Sequence, residues 1–247
     1  MKISVITITY NAADVLPPTL KSVREQDCTD FEHIIIDGAS SDDTILLARR
    51  EGKEGIRIFS EPDKGLYDAM NKGLRAARGE FVLFLNAGDT FAAPDVLSAY
   101  AAAADEETDI VYADTEIVDP SGSVIGPRHL SAPERLTPES FSRGMLVCHQ
   151  AFMARRSIAP EYNTAYRLSA DYDWTINCMR RTVPERCVNL HRVAIHYLSD
   201  GLTDHNKLKS LRERFQIMCR QYGAPTAIAR HLSFIPRAVM RRLSSSR

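Results

Sequence analysis

Four polar clusters each close a run of apolar, largely β-branched residues. Thr9-Tyr10-Asn11 ends the run at 3–9, and Asp37-Gly38-Ala39-Ser40-Ser41-Asp42 follows His33–Ile36. Glu61-Pro62-Asp63-Lys64-Gly65 follows Ile56–Phe59, and Asn86-Ala87-Gly88-Asp89 follows Phe81–Leu85. If the runs are parallel strands of one sheet, the clusters share its carboxyl edge, where such sheets bind ligands. An aromatic ring, several carboxylates and a lysine on one edge suit a nucleoside diphosphate with a divalent cation. The ring would lie on the base, carboxylates would hold ribose or metal, and the lysine would meet phosphate. Turns and helix caps explain any one cluster equally well, because Asp, Asn, Ser and Gly are favoured there. Four together are harder to explain that way.

The intervening segments read as helices. They cover 14–26, 42–51, 66–78 (stopped by Gly79) and 94–105, the last with Pro94 near its start. Strand and helix alternating over short links predict an open, mostly parallel α/β sheet with helices on both faces. After residue 108 the pattern loosens. A strand begins at Ile110-Val111-Tyr112, Asp119-Pro120-Ser121-Gly122 signals a turn, and 127–145 is irregular with three prolines. A further strand is predicted over 147–154, a helix over 170–181 and one or two strands over 186–197. From 204 the chain reads as helical, broken near Gly223-Ala224-Pro225 and at Pro236. The predicted domain boundaries are 1–205 for the α/β body and 206–247 for a helical extension.

Composition excludes whole classes. The 247 residues are 44% hydrophobic and 26% charged, which argues against a disordered chain. The net charge of −1 gives no general pull toward nucleic acid. Five cysteines without a CxxC pair suggest neither a disulfide framework nor a zinc site. No GxGxxG follows the first strand and no GxxxxGK[ST] occurs, against a dinucleotide dehydrogenase and a P-loop NTPase. Neither a signal peptide nor a run near the ~20 apolar residues of a membrane span is read, so a cytoplasmic location is expected.

The segments ITITYN at 6–11, IIIDGASSDDT at 34–44, SEPDKGLYDAMNKGL at 60–74 and GEFVLFLNAGD at 79–89 resemble the inverting family 2 glycosyltransferases of the GT-A fold. CHQAFM at 148–153 and SADYDW at 169–174 extend the resemblance, and colanic-acid-type bacterial polysaccharide glycosyltransferases are the nearest subgroup. The resemblance implies transfer of a sugar from a nucleotide-diphosphate donor to a hydroxyl of a probable lipid-linked glycan in surface polysaccharide assembly. It puts nucleobase and ribose on Thr9, Tyr10, Asn11 and Asp37. Many members have two consecutive acids where this chain has Asp37-Gly38, which leaves base selectivity open, with UDP as a first guess over GDP or dTDP. Asp63, Lys64, Tyr67 and Asn71 would line the donor pocket. The DxD-like metal motif falls on Asn86 and Asp89, with Asn86 toward ribose and Asp89 toward Mg²⁺ or Mn²⁺. The family's catalytic base falls on Asp171, with Asp173 as the rival, although both acids also suit a helix start. His149 and Gln150 would contact donor phosphate or acceptor sugar, or serve structure. His196 would be a further metal or phosphate ligand, and Trp174 an acceptor platform or a core residue. Two other classes stay open: a sugar nucleotidyltransferase, which usually carries a Gly-rich loop missing here, and a catalytically silent nucleotide-sugar binder or scaffold.

The charge is unevenly placed. Residues 207–247 hold ten basic groups and one acid, Glu213, leaving 21 basic and 31 acidic groups in the first 206. Apolar residues recur at near-helical spacing among the arginines. Such a basic amphipathic segment suits an anionic membrane surface, on the inner face of the plasma membrane for a cytoplasmic protein. Packing on the acidic body and contact within a homodimer are the alternatives.

Overall fold

The computed structural model describes residues 2–199 and 207–232. The first half builds a parallel block. Strand β1 (Ile3–Thr9) lies between β2 (Phe31–Asp37) and β4 (Phe81–Phe84), and β3 (Arg57–Ser60) pairs with β2. All these pairings are parallel. Every residue of β1, β2 and β4 is buried, which is why these strands are continuously apolar rather than alternating.

Helices cover both faces. On one face α1 (Leu16–Arg24) and α2 (Thr44–Glu51) pack Leu16, Leu20 and Ala48 over Ile35. Pro17 and Pro18 stand in the first turn of α1, where a missing N–H costs nothing. On the other face α3 (Leu66–Ala76) buries Tyr67, Met70, Asn71 and Leu74, one stripe at helical spacing, in the main core with Ile34 and Ile36. A Cβ at Gly73 would stand 2.5 Å from Ile6 Cγ2, so this glycine sets how closely α3 approaches the sheet. Helix α4 is Val96–Ala103.

The second half continues the sheet with mixed direction. The short β5 (Thr90–Phe91) runs antiparallel to β9 (Cys187–Leu198). Strand β6 (Ile110–Val118) is parallel to β9 and antiparallel to β8 (Phe152–Arg155), which is itself antiparallel to β4. The expected turn at Asp119 forms: its Oδ1 accepts from Ser121 N and Ser123 N, and β7 (Val124–Pro127) returns along β6. The strand order is β3-β2-β1-β4-β8-β6-β9-β5, with β7 beside β6. The strand predicted over 147–154 starts only at Phe152, because His149–Ala151 forms a single 3₁₀ turn.

Helix α5 (Ala170–Met179) and α6 (Lys207–Tyr222) pack on one another, and a last helix spans 224–232. Ile217, Met218 and Ala227 belong to the same apolar cluster as the sheet. The described part of the basic extension therefore has one face built into the body. Residues 200–206 and 233–247, including the break expected at Pro236, lie outside the described residues.

Candidate functional site

Register places the first three clusters side by side. Thr9 stands opposite Asp37, and Asp37 opposite Ser60. The Asp37 carboxylate accepts from Thr9 Oγ1 at 3.0 Å, Ser60 Oγ at 2.7 Å, and Ser40 through N at 2.9 Å and Oγ at 2.5 Å. Burial pushes its pKa upward, but these donors outweigh burial and hold it below the usual carboxylate range. Asp37 is thus a permanently charged knot joining three strand ends. Its oxygens already have four donors, more than its expected ribose role requires. Ser40 lies inside the recognised string, whereas no sequence signal marks Ser60 as a partner.

Asn11 ties the same loops from the other side, accepting from Ser41 N at 2.9 Å while its own N–H donates to Ser40 Oγ. It sits at φ 47, in the left-handed region that asparagine tolerates. Tyr10 is 66% exposed, the disposition an unfilled base platform needs. A Cβ on Gly38 would meet Asp63 Oδ2 at 2.5 Å and Tyr10 Cδ2 at 3.2 Å. The missing second acid therefore leaves room that Asp63 and Tyr10 fill. Asp63 Oδ1 also accepts from Gly65 N at 2.7 Å, shaping the turn into α3. Lys64 is exposed; its backbone N–H donates to Asp68 and its carbonyl accepts from Arg167.

The α3 residues expected at the donor pocket separate in role. Tyr67 donates its hydroxyl to Asp171 Oδ1 at 2.9 Å, across 104 positions of chain. Asn71 instead clamps the loop at Tyr162: its Nδ2 donates to Tyr162 O at 3.0 Å and its Oδ1 accepts from Tyr162 N at 2.6 Å. With both ends of its amide committed and the residue buried, Asn71 positions the loop and does not face a donor.

Asp171 and Asp173 both stand in the first turn of α5, but they differ sharply. Asp173 is buried and accepts from Asn177 Nδ2 at 3.1 Å and Gln221 Nε2 at 2.8 Å, fastening α5 to α6. The Asp171 side chain keeps 19% exposure and has His149 Nδ1 at 3.6 Å from Oδ2. His149 is neutral near pH 7, because burial pushes its pKa down; Asp171 opposes this and Arg128 adds to it. Its Nε2 is buried without a partner.

Three expectations are corrected. Trp174 is no sugar platform: it is buried, stacked on Tyr162 at 4.9 Å between centroids, and its Nε1 donates to Pro160 O at 2.7 Å. His196 faces Glu116, with Nε2 at 3.7 Å from Oε2, and joins no metal cluster among the described residues. Asp89 lies buried under the edge, where its carboxylate accepts from Gln150 Nε2 and, at 2.8 Å, from Leu198 N. Burial pushes Asp89 to about 8, with the Leu198 hydrogen bond pulling the other way. Among the described residues no group of three His, Cys, Asp or Glu could hold a metal ion. The one side-chain oxygen of the motif left unpartnered is Asn86 Oδ1, a neutral acceptor. These residues do not fit a cation held by Asp89.

The profile of Glycosyl transferase family 2 matches residues 4–162. The chain belongs to glycosyl transferase family 2. A "PGL/p-HBAD biosynthesis glycosyltransferase" of Mycobacterium bovis is 38% identical over 223 residues, covering 84% of this chain and 83% of that protein. Family 2 membership makes this chain a glycosyl-transferring enzyme. Two solved structures share its GT-A fold. S. aureus TarS 1–349 in complex with UDP gives a TM-score of 0.69 at 19% identity, over 90% of this chain and 65% of that one. The Pyrobaculum calidifontis mannosyltransferase PcManGT, in complex with GDP-Man and Mn²⁺, gives 0.61 at 19%, over 99% and 79%. For this family 2 chain the matched 4–162 takes in the clusters of the sheet edge, Tyr67 and His149 but stops short of Asp171.

Proposed function

We propose that this enzyme is an inverting glycosyltransferase in which Asp171 is the general base. The observation that carries the reading is the setting of that carboxylate. It is partly exposed at the start of α5, held by the Tyr67 hydroxyl and flanked by His149, while Asp173 is consumed in packing. A nucleoside diphosphate would rest along Thr9, Tyr10, Asp37 and Asp63, its base against the exposed Tyr10 ring. Asp171 takes the proton from an acceptor hydroxyl as that oxygen bonds to the anomeric carbon. The bond from the anomeric carbon to the diphosphate breaks, and the nucleotide leaves with the electron pair. Attack opposite the leaving group inverts the configuration.

Relatives named for UDP and for GDP-Man support a nucleotide-sugar donor, and UDP is the first choice. The mycobacterial relative, named for PGL/p-HBAD biosynthesis, supports a biosynthetic glycosyl transfer. Asp89 is already committed to Gln150 and Leu198 and is not free to hold Mg²⁺ or Mn²⁺.

Calorimetric titration with UDP, GDP, dTDP and CDP, each with and without Mn²⁺, tests the donor half. One nucleotide is expected to bind in preference to the others, and no binding by any of them refutes the donor site. For the chemistry, Asp171→Asn is expected to lower transfer by about 10²–10⁴-fold with nucleotide affinity unchanged. Transfer that survives in Asp171→Asn and is lost in a well-folded Asp173→Asn would reverse the assignment.

A further inference from the structure

A cavity reaches α5 at Tyr172, the residue after the proposed base. Its volume is about 660 Å³, within the ~300–1,000 Å³ usual for small-molecule sites. Arg128 lines it from the segment after β7, Arg143 from the end of the 3₁₀ helix Pro138–Arg143, and Arg214 from α6. His129 and His231 add two imidazoles, and among the described residues no Asp or Glu lines it. Met145, Leu146 and Met218 supply apolar wall, and Tyr172 forms part of it from the residue next to Asp171.

The three guanidinium groups lack the usual counter-charges. Arg214 and Arg143 make no hydrogen bond or ion pair among the described residues, and Arg214 Nε is buried without a partner. Arg128 donates only to a backbone carbonyl, that of Met145, at 3.1 Å. The one acid on α6, Glu213, is turned away and accepts from Arg167 N and Leu168 N. Drawing cations together without carboxylates is unfavourable unless a multivalent anion joins them. Guanidinium forks match the oxygens of carboxylate and phosphate, and of the two only a phosphate or diphosphate brings the multivalent charge that three arginines call for.

Position says which substrate brings the phosphate. The cavity touches α5 at Tyr172, one residue from the base, and Arg128 is close enough to His149 to disfavour its protonation. The donor's own diphosphate belongs at the carboxyl ends of β1–β4. We propose that this cavity binds the phosphate or diphosphate group of the acceptor, presenting the acceptor hydroxyl to Asp171. The inference rests on the reading of Asp171 as base and adds the acceptor's chemical class: a phosphorylated or diphosphate-linked sugar.

The test is calorimetry on the full chain with inorganic pyrophosphate, after saturation with whichever of the four nucleoside diphosphates binds. Pyrophosphate is expected still to bind. Arg143→Gln and Arg214→Gln should each weaken it about tenfold, with nucleotide affinity unchanged. Arg143 is exposed, so its variant keeps the test sharp if Arg214→Gln unfolds. Farnesyl diphosphate and glucose 1-phosphate serve as two further probes. Arginine-dependent binding that is tighter for the first supports a lipid-linked acceptor, and equal binding supports a soluble phosphosugar. Pyrophosphate binding that vanishes once nucleotide is present, or that is unchanged in the double variant, overturns the inference. If no nucleotide binds but pyrophosphate binds through these arginines, the cavity stands and the donor reading fails.

Discussion

Two tyrosines and a histidine govern how Asp171 is held. Tyr67 anchors one carboxylate oxygen, and Tyr162 stacks beneath Tyr67 at 5.6 Å and on Trp174 at 4.9 Å. The proposed base is thus supported by an aromatic ladder. Tyr67→Phe keeps the stacking and removes one hydrogen bond. It is expected to lower kcat about tenfold, with nucleotide affinity and thermal stability close to the parent, in a transfer assay paired with calorimetry. Two buried groups should shape the pH dependence of stability in opposite directions. His33 is held down to about 3 by burial, with Lys53 adding to the effect, so the unfolded chain binds the proton first. Its contribution is present above pH 6.5 and is lost as pH falls toward 3. Asp89 is pushed up to about 8, so the folded chain holds its proton while the unfolded chain has released it. That contribution is complete below about pH 4 and is lost as pH rises through 8. As pH rises from 6.5 toward 8 the opposing His33 contribution fades, and the larger Asp89 slope dominates. Urea melts between pH 6.5 and 8 should show stability falling by on the order of 1–2 kcal/mol, and Asp89→Asn should flatten that decline.

At the scale of elements, the parallel block owes its geometry to close helix approach. Gly73 admits Ile6 and Ile36 against the backbone of α3, and the same helix carries Tyr67 to Asp171. Gly73→Ala should gain up to about 1 kcal/mol of helix propensity, while overpacking costs about 1–3 kcal/mol. Because the nearest atom would be a β-branched methyl at 2.5 Å, the cost is expected to win. Denaturant melts should show a net loss of about 1–2 kcal/mol, with kcat reduced as Tyr67 shifts; a stabilised variant would show that α3 can ride up without strain. The sequence made the four parallel strands and four helices of residues 3–103 legible to within a few positions, because β1, β2 and β4 are buried throughout, but it did not show the two-residue β5. The 149–155 segment was less legible. A 3₁₀ turn followed by four strand residues has the same apolar composition as one longer strand.

At the scale of the whole molecule, the basic extension has two faces. One is joined to the body through Ile217, Met218 and Ala227, through Gln221 to Asp173, and through Tyr222 Oη donating to Pro138 O at 2.6 Å. The other leaves Leu208, Leu211, Ile228 and Leu232 exposed beside arginines. No helix among the described residues is long and apolar enough to cross a membrane. We propose that this outer face rests on an anionic bilayer, where a lipid-linked acceptor would reach the arginine-lined cavity next to it. Co-sedimentation should show binding to vesicles containing phosphatidylglycerol, weaker binding in high salt, and little binding to phosphatidylcholine alone. Leu208→Ser with Leu211→Ser should reduce that binding severalfold without altering nucleotide affinity. Equal binding to neutral and anionic vesicles would remove the electrostatic part of this proposal.

Local pattern and local strings determined the parallel strands, the helices between them, the polar sheet edge and the family, because hydrophobic period and turn chemistry act within a few residues. They also singled out the pair Asp171 and Asp173. Only the tertiary structure sets the two apart, since it brings Gln221 to Asp173 and Tyr67 to Asp171. The same holds for Asp89, whose partners Gln150 and Leu198 lie 61 and 109 positions away. A side chain is free for chemistry only when the folded chain has not already satisfied it, and partners that distant leave no local trace.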